Sequence, residues 1–303
     1  MDRLKWDNRM EEKEMLKSLY SGVTGMKNIQ TKMDVISNNI ANVNTTAFKT
    51  GRVRFEDMLS QTNASAQTGI NAQQVGLGVQ VGSIDTVMSG GSLQSTGRAL
   101  DFGIENGDSS FFTVKDGENT FYTRDGGFYT DPTGNLVTSG GLQVQGYTGG
   151  TPAVNVDPFD PTTLGTTMAP ITILQTIQNP DGAGTLDLQS YSVDSKGFIV
   201  GSYSGGKSMV LGRVGLTSFS NPDGLQKSGG NLYTESANSG APEAGNPGEP
   251  GYGSVRSGFL EMSNVDLANE FTEMIVTSRS YQANSRSITT SDTMLEELIN
   301  LKR

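Results

Sequence analysis

The chain has 303 residues, 34% of them hydrophobic, with 39 glycines, 10 prolines, a formal net charge of -10 and neither cysteine nor histidine. The two missing residue types rule out thiolate nucleophiles, Cys- or His-ligated metal sites, imidazole bases and a Ser-His-Asp triad. The acidic surface repels phosphate backbones, and no apolar run approaches the roughly 18–20 residues that span a bilayer, so neither nucleic acid binding nor membrane insertion is expected.

The chain opens Met1-Asp2-Arg3-Leu4-Lys5-Trp6. With no apolar core and no small-residue cleavage site, this does not read as a Sec signal peptide. Residues 15–43 and 264–301 contain no proline; all ten prolines lie between them. Leu19, Met26, Met33 and Ile40 recur every seven residues, and Ile29, Ile36 and Val43 form a second row. That alternation predicts a helix with a coiled-coil-like seam. Gly22 and Gly25 are expected to weaken its first turns by about 1 kcal/mol each relative to Ala. Asn42, Asn44, Thr45 and Thr46 are expected to end it through side chain to backbone bonds.

The stretch from Val75 to Tyr147 reads as β-structure, with a turn at Asp116-Gly117 and another at Asp131-Pro132-Thr133-Gly134. The same device recurs at Asp194-Ser195-Lys196-Gly197, which predicts two similar hairpins. Residues 151–185, rich in Pro, Thr and Asp with a short apolar patch at Ile171, Ile173 and Leu174, read as an insertion, either a small β-subdomain or a long loop. Residues 236–253 read as an extended Gly/Pro/Ser linker. In the last stretch, Leu267, Met274, Tyr281, Ile288 and Leu295 are spaced by seven, widened by Phe271, Ile275, Leu298 and Ile299. Ser263 with Asp266 resembles a capping box.

The expected fold is therefore α+β: long terminal helices that pair, with a mostly-β domain and a short insertion between them. The expected divisions are an extension (1–14), a first helix (15–47), the first part of the β-domain (48–150), the insertion (151–185), the rest of the β-domain with its linker (186–253) and a second helix (254–303). The seam of one helix is too small to offset the ordering of its own residues, and one partner helix leaves half of it wet. The helices are thus expected to need neighbouring copies. The expected assembly interface is Leu19, Met26, Ile29, Met33, Ile36, Asn38, Asn39, Ile40, Asn42 and Val43, with Leu267, Phe271, Met274, Tyr281, Ile288, Leu295 and Leu298. On pattern alone, ordinary core helices fit these rows as well. The Asn cluster fits either capping or hydrogen bonds between copies.

Several runs resemble the flagellar rod–hook family of axial proteins. They are Ser18-Leu19-Tyr20-Ser21-Gly22-Val23-Thr24-Gly25-Met26, Asp34-Val35-Ile36-Ser37-Asn38-Asn39-Ile40-Ala41-Asn42 and Thr46-Ala47-Phe48-Lys49, the last with Ala47 where Gly is usual. Leu93-Gln94-Ser95-Thr96-Gly97-Arg98-Ala99-Leu100-Asp101, Phe121-Tyr122-Thr123-Arg124-Asp125-Gly126 and Leu260-Glu261-Met262-Ser263-Asn264-Val265-Asp266-Leu267 continue the likeness. Met262, Asp266 and Leu267 resemble hook subunits more than distal rod subunits. The resemblance implies a helical, coiled-coil-like D0 domain, a β-rich D1 domain and a reduced outermost domain. It implies a non-enzymatic, extracellular subunit of the flagellar hook or basal body, without cofactors, that polymerises with itself into a curved, flexible tube. The implied partners are a hook-capping protein, the distal rod protein, a hook–filament junction protein and the type III flagellar export apparatus. Family members begin near Met15, so residues 1–14 read as a misassigned start in preference to a helical extension.

Other readings are weaker on the residues. Gly76-Leu77-Gly78 lacks the helix a nucleotide loop needs. The Asp-x-x-Gly segments lack the ligand ladder of an EF-hand. Asp125 and Asp131 could be imagined as a glycan hydrolase pair, but turn roles suit them better. A distal rod subunit is the nearest rival, and a monomeric adhesin a more distant one.

Overall fold

Forty consecutive residues without proline, Asp2–Ala41, form one helix, α1. A second, α2, spans Leu267–Leu301. The computed structural model describes residues 2–65, 68–69, 71–148, 165, 167–178 and 184–301. They divide into two units, one of residues 1–42, 50–87 and 265–303, the other of residues 43–49 and 88–264.

The first unit joins both helices to an antiparallel ribbon. Strand Gly51–Asp57 pairs with Val79–Thr86, Gly51 opposite Thr86, with a register shift after Arg54. Gln61–Ala64 pairs with Gln73–Val75 beyond it. Sequence pattern assigned 50–87 to the β-domain; in the structure it packs with the helices. Strand periodicity identifies the ribbon but is silent on which body it joins.

The second unit is built on a large sheet. Its path runs through Thr176–Gln178, Thr185–Val193, Phe198–Tyr203, Lys207–Val214, Gln143–Tyr147, Ser110–Asp116, Asn119–Thr123, Leu232–Thr234 and Gln226–Gly229. Both predicted Asp-x-x-Gly turns form alike. Gly134 N–H returns to Asp131 O at 3.0 Å and Gly197 N–H to Asp194 O at 2.8 Å. Each glycine is in the left-handed region, at φ 89° and 79°, where a side chain is costly. Phe102, Phe112, Phe128, Leu136, Val144, Ile171, Ile199, Val214 and Leu216 build a fully buried core, with Phe112 and Phe128 edge to face at 5.3 Å between centroids.

Four expectations change here. Much of 151–185 lies outside the described residues, but Met168–Pro170 pairs with Gln143–Tyr147, and Ile171 and Ile173 belong to the main core. That stretch is thus part of the β-unit. The linker is pinned too: Glu243–Gly245 pairs with Leu216–Ser218, and Arg213 Nη2 donates to Pro247 O at 2.8 Å. The region from 254 opens with strands Ser254–Ser257 and Phe259–Glu261 before α2 begins. The N-cap of α2 is Asp266: its Oδ1 accepts from Ala268 N–H at 2.9 Å and Asn269 N–H at 3.4 Å, which is N-cap chemistry three residues later than Ser263.

Candidate assembly surface

The pairing of α1 with α2 follows from side chains that a hydropathy scan passes over. Ser18 and Ser291 hydroxyls meet at 3.3 Å. A Cβ on Gly22 would lie 3.0 Å from Ile288 Cγ1, and one on Gly25 would lie 2.8 Å from Asn284 Nδ2. Lys32 Nζ reaches Glu273 Oε2 at 2.6 Å, and Asn39 Nδ2 reaches Glu270 Oε1 at 3.1 Å. The partners descend on α2 as they ascend on α1, so the helices are antiparallel. The two glycines, expected to weaken the helix, permit this close approach.

These contacts define a row beside the expected one. Ser18, Gly25, Lys32 and Asn39 are spaced by seven and precede Leu19, Met26, Met33 and Ile40 by one residue each. The latter four are half-buried, as are Ile29 and Val43, while Ile36 is buried. On α2, Met274, Ile288 and Leu295 are half-buried, and Leu267, Phe271 and Tyr281 are exposed. The Leu298 side chain lies outside the described residues. Small and polar residues make much of the helix–helix contact, and the large apolar ones flank it.

The asparagines divide similarly. Asn39 is buried: its Nδ2 also donates to Gly51 O at 2.9 Å and its Oδ1 accepts Gly51 N–H at 3.0 Å. It is committed within the chain. Asn42 Nδ2 donates to Asn38 O at 2.9 Å, a local capping bond. Asn38 and Asn44 are exposed.

What the helices leave uncovered forms a pattern. Leu267, Phe271 and Ile275, spaced by four, are 39%, 51% and 63% exposed. On the ribbon, Phe55, Leu59 and Ile84 are exposed too. Among the described residues, every exposed large apolar side chain except Tyr129 and Leu174 lies in the first unit. Exposed apolar area gathered in this way marks an interaction surface.

In the second unit, three quoted motifs converge on one buried cluster. Lys49 Nζ donates to Glu261 Oε1 at 2.6 Å and to Ser89 O at 2.7 Å. Arg124 Nη1 donates to Glu261 Oε2 at 3.1 Å, and its Nη2 to Gly107 O. Gly91 N–H completes the Glu261 shell at 2.9 Å. Burial holds the Lys49 ammonium below the usual lysine range, against the pull of Glu261. The cluster binds chain segments together and was not foreseen. Ala47, beside it, sits at φ 56° and donates its N–H to Glu261 O at 2.8 Å. That backbone conformation is one that favours glycine.

The imagined carboxylate pair is spent on turns. Asp131 accepts from Thr133 N–H, Asn135 N–H and both side chains. Slight burial pushes its pKa up, but these donors outweigh it and hold the carboxyl below its ordinary range, the wrong direction for a general acid. Asp125 Oδ1 accepts Gly127 N–H at 3.2 Å. Among the described residues no group of three acidic side chains gathers to hold a metal.

Comparison with known proteins gives three family matches: "Flagella basal body rod protein" over residues 19–49, "Flagellar hook protein FlgE/F/G D1 domain" over 106–201, and "Flagellar basal body rod FlgEFG protein C-terminal" over 256–301. The flagellar basal-body rod protein FlgG of Bacillus subtilis is 49% identical over 296 residues, covering 95% of this chain and all of that protein. In Borreliella burgdorferi, the flagellar hook protein FlgE is 32% identical over 443 residues and the rod protein FlgG 35% over 297, each with the same coverage of 95% and 100%. Among solved structures, the Helicobacter pylori flagellar hook protein FlgE2 matches at 16% identity and a TM-score of 0.23, covering 64% of this chain and 47% of its own. That likeness is too slight to bear on the fold.

Proposed function

The chain belongs to the flagellar rod–hook family, and on that premise we propose that it is the hook subunit, a structural protein that polymerises into a tube and transmits torque. One observation carries the tube-forming part: exposed apolar side chains gather in the helical unit, while the helix–helix contact is made largely by small and polar groups. Burying each exposed side chain gains roughly 1.5–3 kcal/mol, which copies of the chain can supply. The terminal helices form the D0-like layer, and the sheet unit forms D1. Leu19, Met26, Met33, Ile40, Leu267, Phe271 and Tyr281 face neighbouring subunits. Export by the flagellar type III apparatus, growth under a capping protein and junctions with the distal rod and filament follow from the same reading.

The hook assignment rests on Met262, Asp266 and Leu267 in the C-terminal motif. A distal rod role is favoured by a different observation. The relative at 49% identity is named a rod protein and aligns over 296 positions, whereas the alignment to the spirochaete hook protein extends over 443. Deletion of the gene followed by electron microscopy separates the two. Loss of hook and filament with the whole rod retained supports the hook; loss of the distal rod itself overturns it.

A further inference from the structure

The first unit contains a cavity of about 340 Å³ whose walls include Val35, Ile36, Val53, Val87, Arg52 and Glu270. Two other charges on its walls, Lys32 and Glu273, satisfy each other at 2.6 Å. Glu270 accepts from Asn39 but ion-pairs with no cation among the described residues, Arg52 included. Burial pushes its carboxyl above the ordinary range; Asn39 and Lys32 pull it down, and Glu273 and Asp266 push it further up. A carboxylate so placed gains from a cation brought in from outside, through charge and a charge-assisted hydrogen bond.

The same helix carries that cation. Charge along α2 is segregated: Asp266, Glu270 and Glu273 at its start, Arg279 and Arg286 in its middle, and Asp292, Glu296 and Glu297 at its end. Both arginines are exposed and, seven apart, share a face. Arg279 is engaged with Gln282 Oε1 at 3.1 Å, while the Arg286 guanidinium makes no hydrogen bond or ion pair among the described residues. A helix with an unpaired acid at one level and a free base at another is complementary to a displaced copy of itself. Such a head-to-tail contact propagates instead of closing.

Resting on the tube-forming reading, we propose that this cavity is a socket for the Arg286 side chain of a second copy of the chain, parallel to the first and displaced by about 24 Å, sixteen residues of helix. The aliphatic walls receive the methylene stem and Glu270 receives the guanidinium. The displacement is set by the chain's own spacing of acid and base, so the socket acts as a register mark between copies.

The chain has no cysteine of its own, which makes the test clean. Glu270→Cys and Arg286→Cys chains are prepared separately, copolymerised and treated with a short bis-maleimide. A cross-linked dimer is expected from the mixed polymer and from neither variant alone. Mixed polymer without the cross-link overturns the socket. Glu270→Gln, which keeps the side chain's shape, is expected to raise the critical concentration for polymerisation at least tenfold and to lower its salt sensitivity; an unchanged critical concentration also overturns the socket. A wild-type chain that stays monomeric sinks the tube-forming reading itself, whereas polymer that forms but does not cross-link sinks only the socket.

Discussion

Lys49 and Glu261 stand 212 positions apart in the chain, yet Nζ and Oε1 meet at 2.6 Å with neither side chain exposed to solvent. With Arg124 on the other carboxylate oxygen, Glu261 bridges two buried cations. Glu261→Gln removes it and is expected to destabilise the sheet unit by about 3–5 kcal/mol. Lys49→Met should cost less, because Glu261 keeps Arg124 and the Gly91 N–H. Urea unfolding of both variants at unchanged m-value checks the order.

Two glycines predict different penalties for one added methyl. A Cβ at Gly126 would lie 1.8 Å from Phe102 O, a backbone atom that cannot swing away. Gly126→Ala should cost about 3 kcal/mol or more through forced backbone movement. Gly117, at φ 57°, has open space around it. Gly117→Ala should cost only about 1–2 kcal/mol, from its left-handed backbone. Equal thermal shifts for the two would contradict the packing described.

Burial raises the Tyr233 phenol to about 12, and shifts Tyr122 and Tyr203 upward for the same reason. Between pH 10 and 12 the unfolded chain loses the Tyr233 proton while the folded chain keeps it. The stability this group contributes is therefore complete below pH 10 and is lost as pH rises towards 12, by up to about 3 kcal/mol. Phenolate absorbance should lag in the folded protein and then appear together with loss of structure.

Helix α2 offers a direct comparison of caps. Asp266→Ala removes the acceptor for the Ala268 and Asn269 N–H groups and should cost about 1 kcal/mol. Asn269→Ala, which removes only the exposed contact of its Nδ2 with Asp266 Oδ2, should cost less. Amide hydrogen exchange at 268 and 269 reads the difference directly.

Phe271 tests the assembly surface without touching a core. Because its ring is half exposed in the single chain, Phe271→Ser should leave the monomer's melting temperature within a degree or two. It should raise the polymerisation threshold tenfold or more, since a buried aromatic is worth about 1.5–3 kcal/mol. A melting temperature that falls while assembly is unaffected would place the ring in an intramolecular core instead.

Much of this architecture was legible in the sequence, for reasons that can be named. Proline-free ends with sevenfold apolar repeats predicted the two helices, and aspartate–glycine spacing predicted the turns at 131–134 and 194–197. Hydropathy marks Leu19 and Met26 but does not register Ser18, Gly22 and Gly25, which meet α2 through small size. The Pro- and Thr-rich surroundings of Ile171 and Ile173 mark an insertion but do not show that these two side chains enter the main core. Lys49, Arg124 and Glu261 each lay inside a quoted motif, but local spacing cannot signal a pairing over more than two hundred residues. Of the candidate surface, Phe271 and Leu267 were found by periodicity; Phe55, Leu59 and Ile84 were missed because the ribbon was assigned to the other unit.

The late position of Glu261 governs when the sheet unit can mature. Phe102–Glu105 waits for Ser254–Ser257, and Leu93–Ser95 for Phe259–Glu261. Until residue 261 is synthesised, the growing chain holds two cations without the Glu261 carboxylate and two strands without their mates. Long-range closure of this kind is slow, so the sheet unit completes its buried ion cluster and these two strand pairs only after nearly all of the sequence is present.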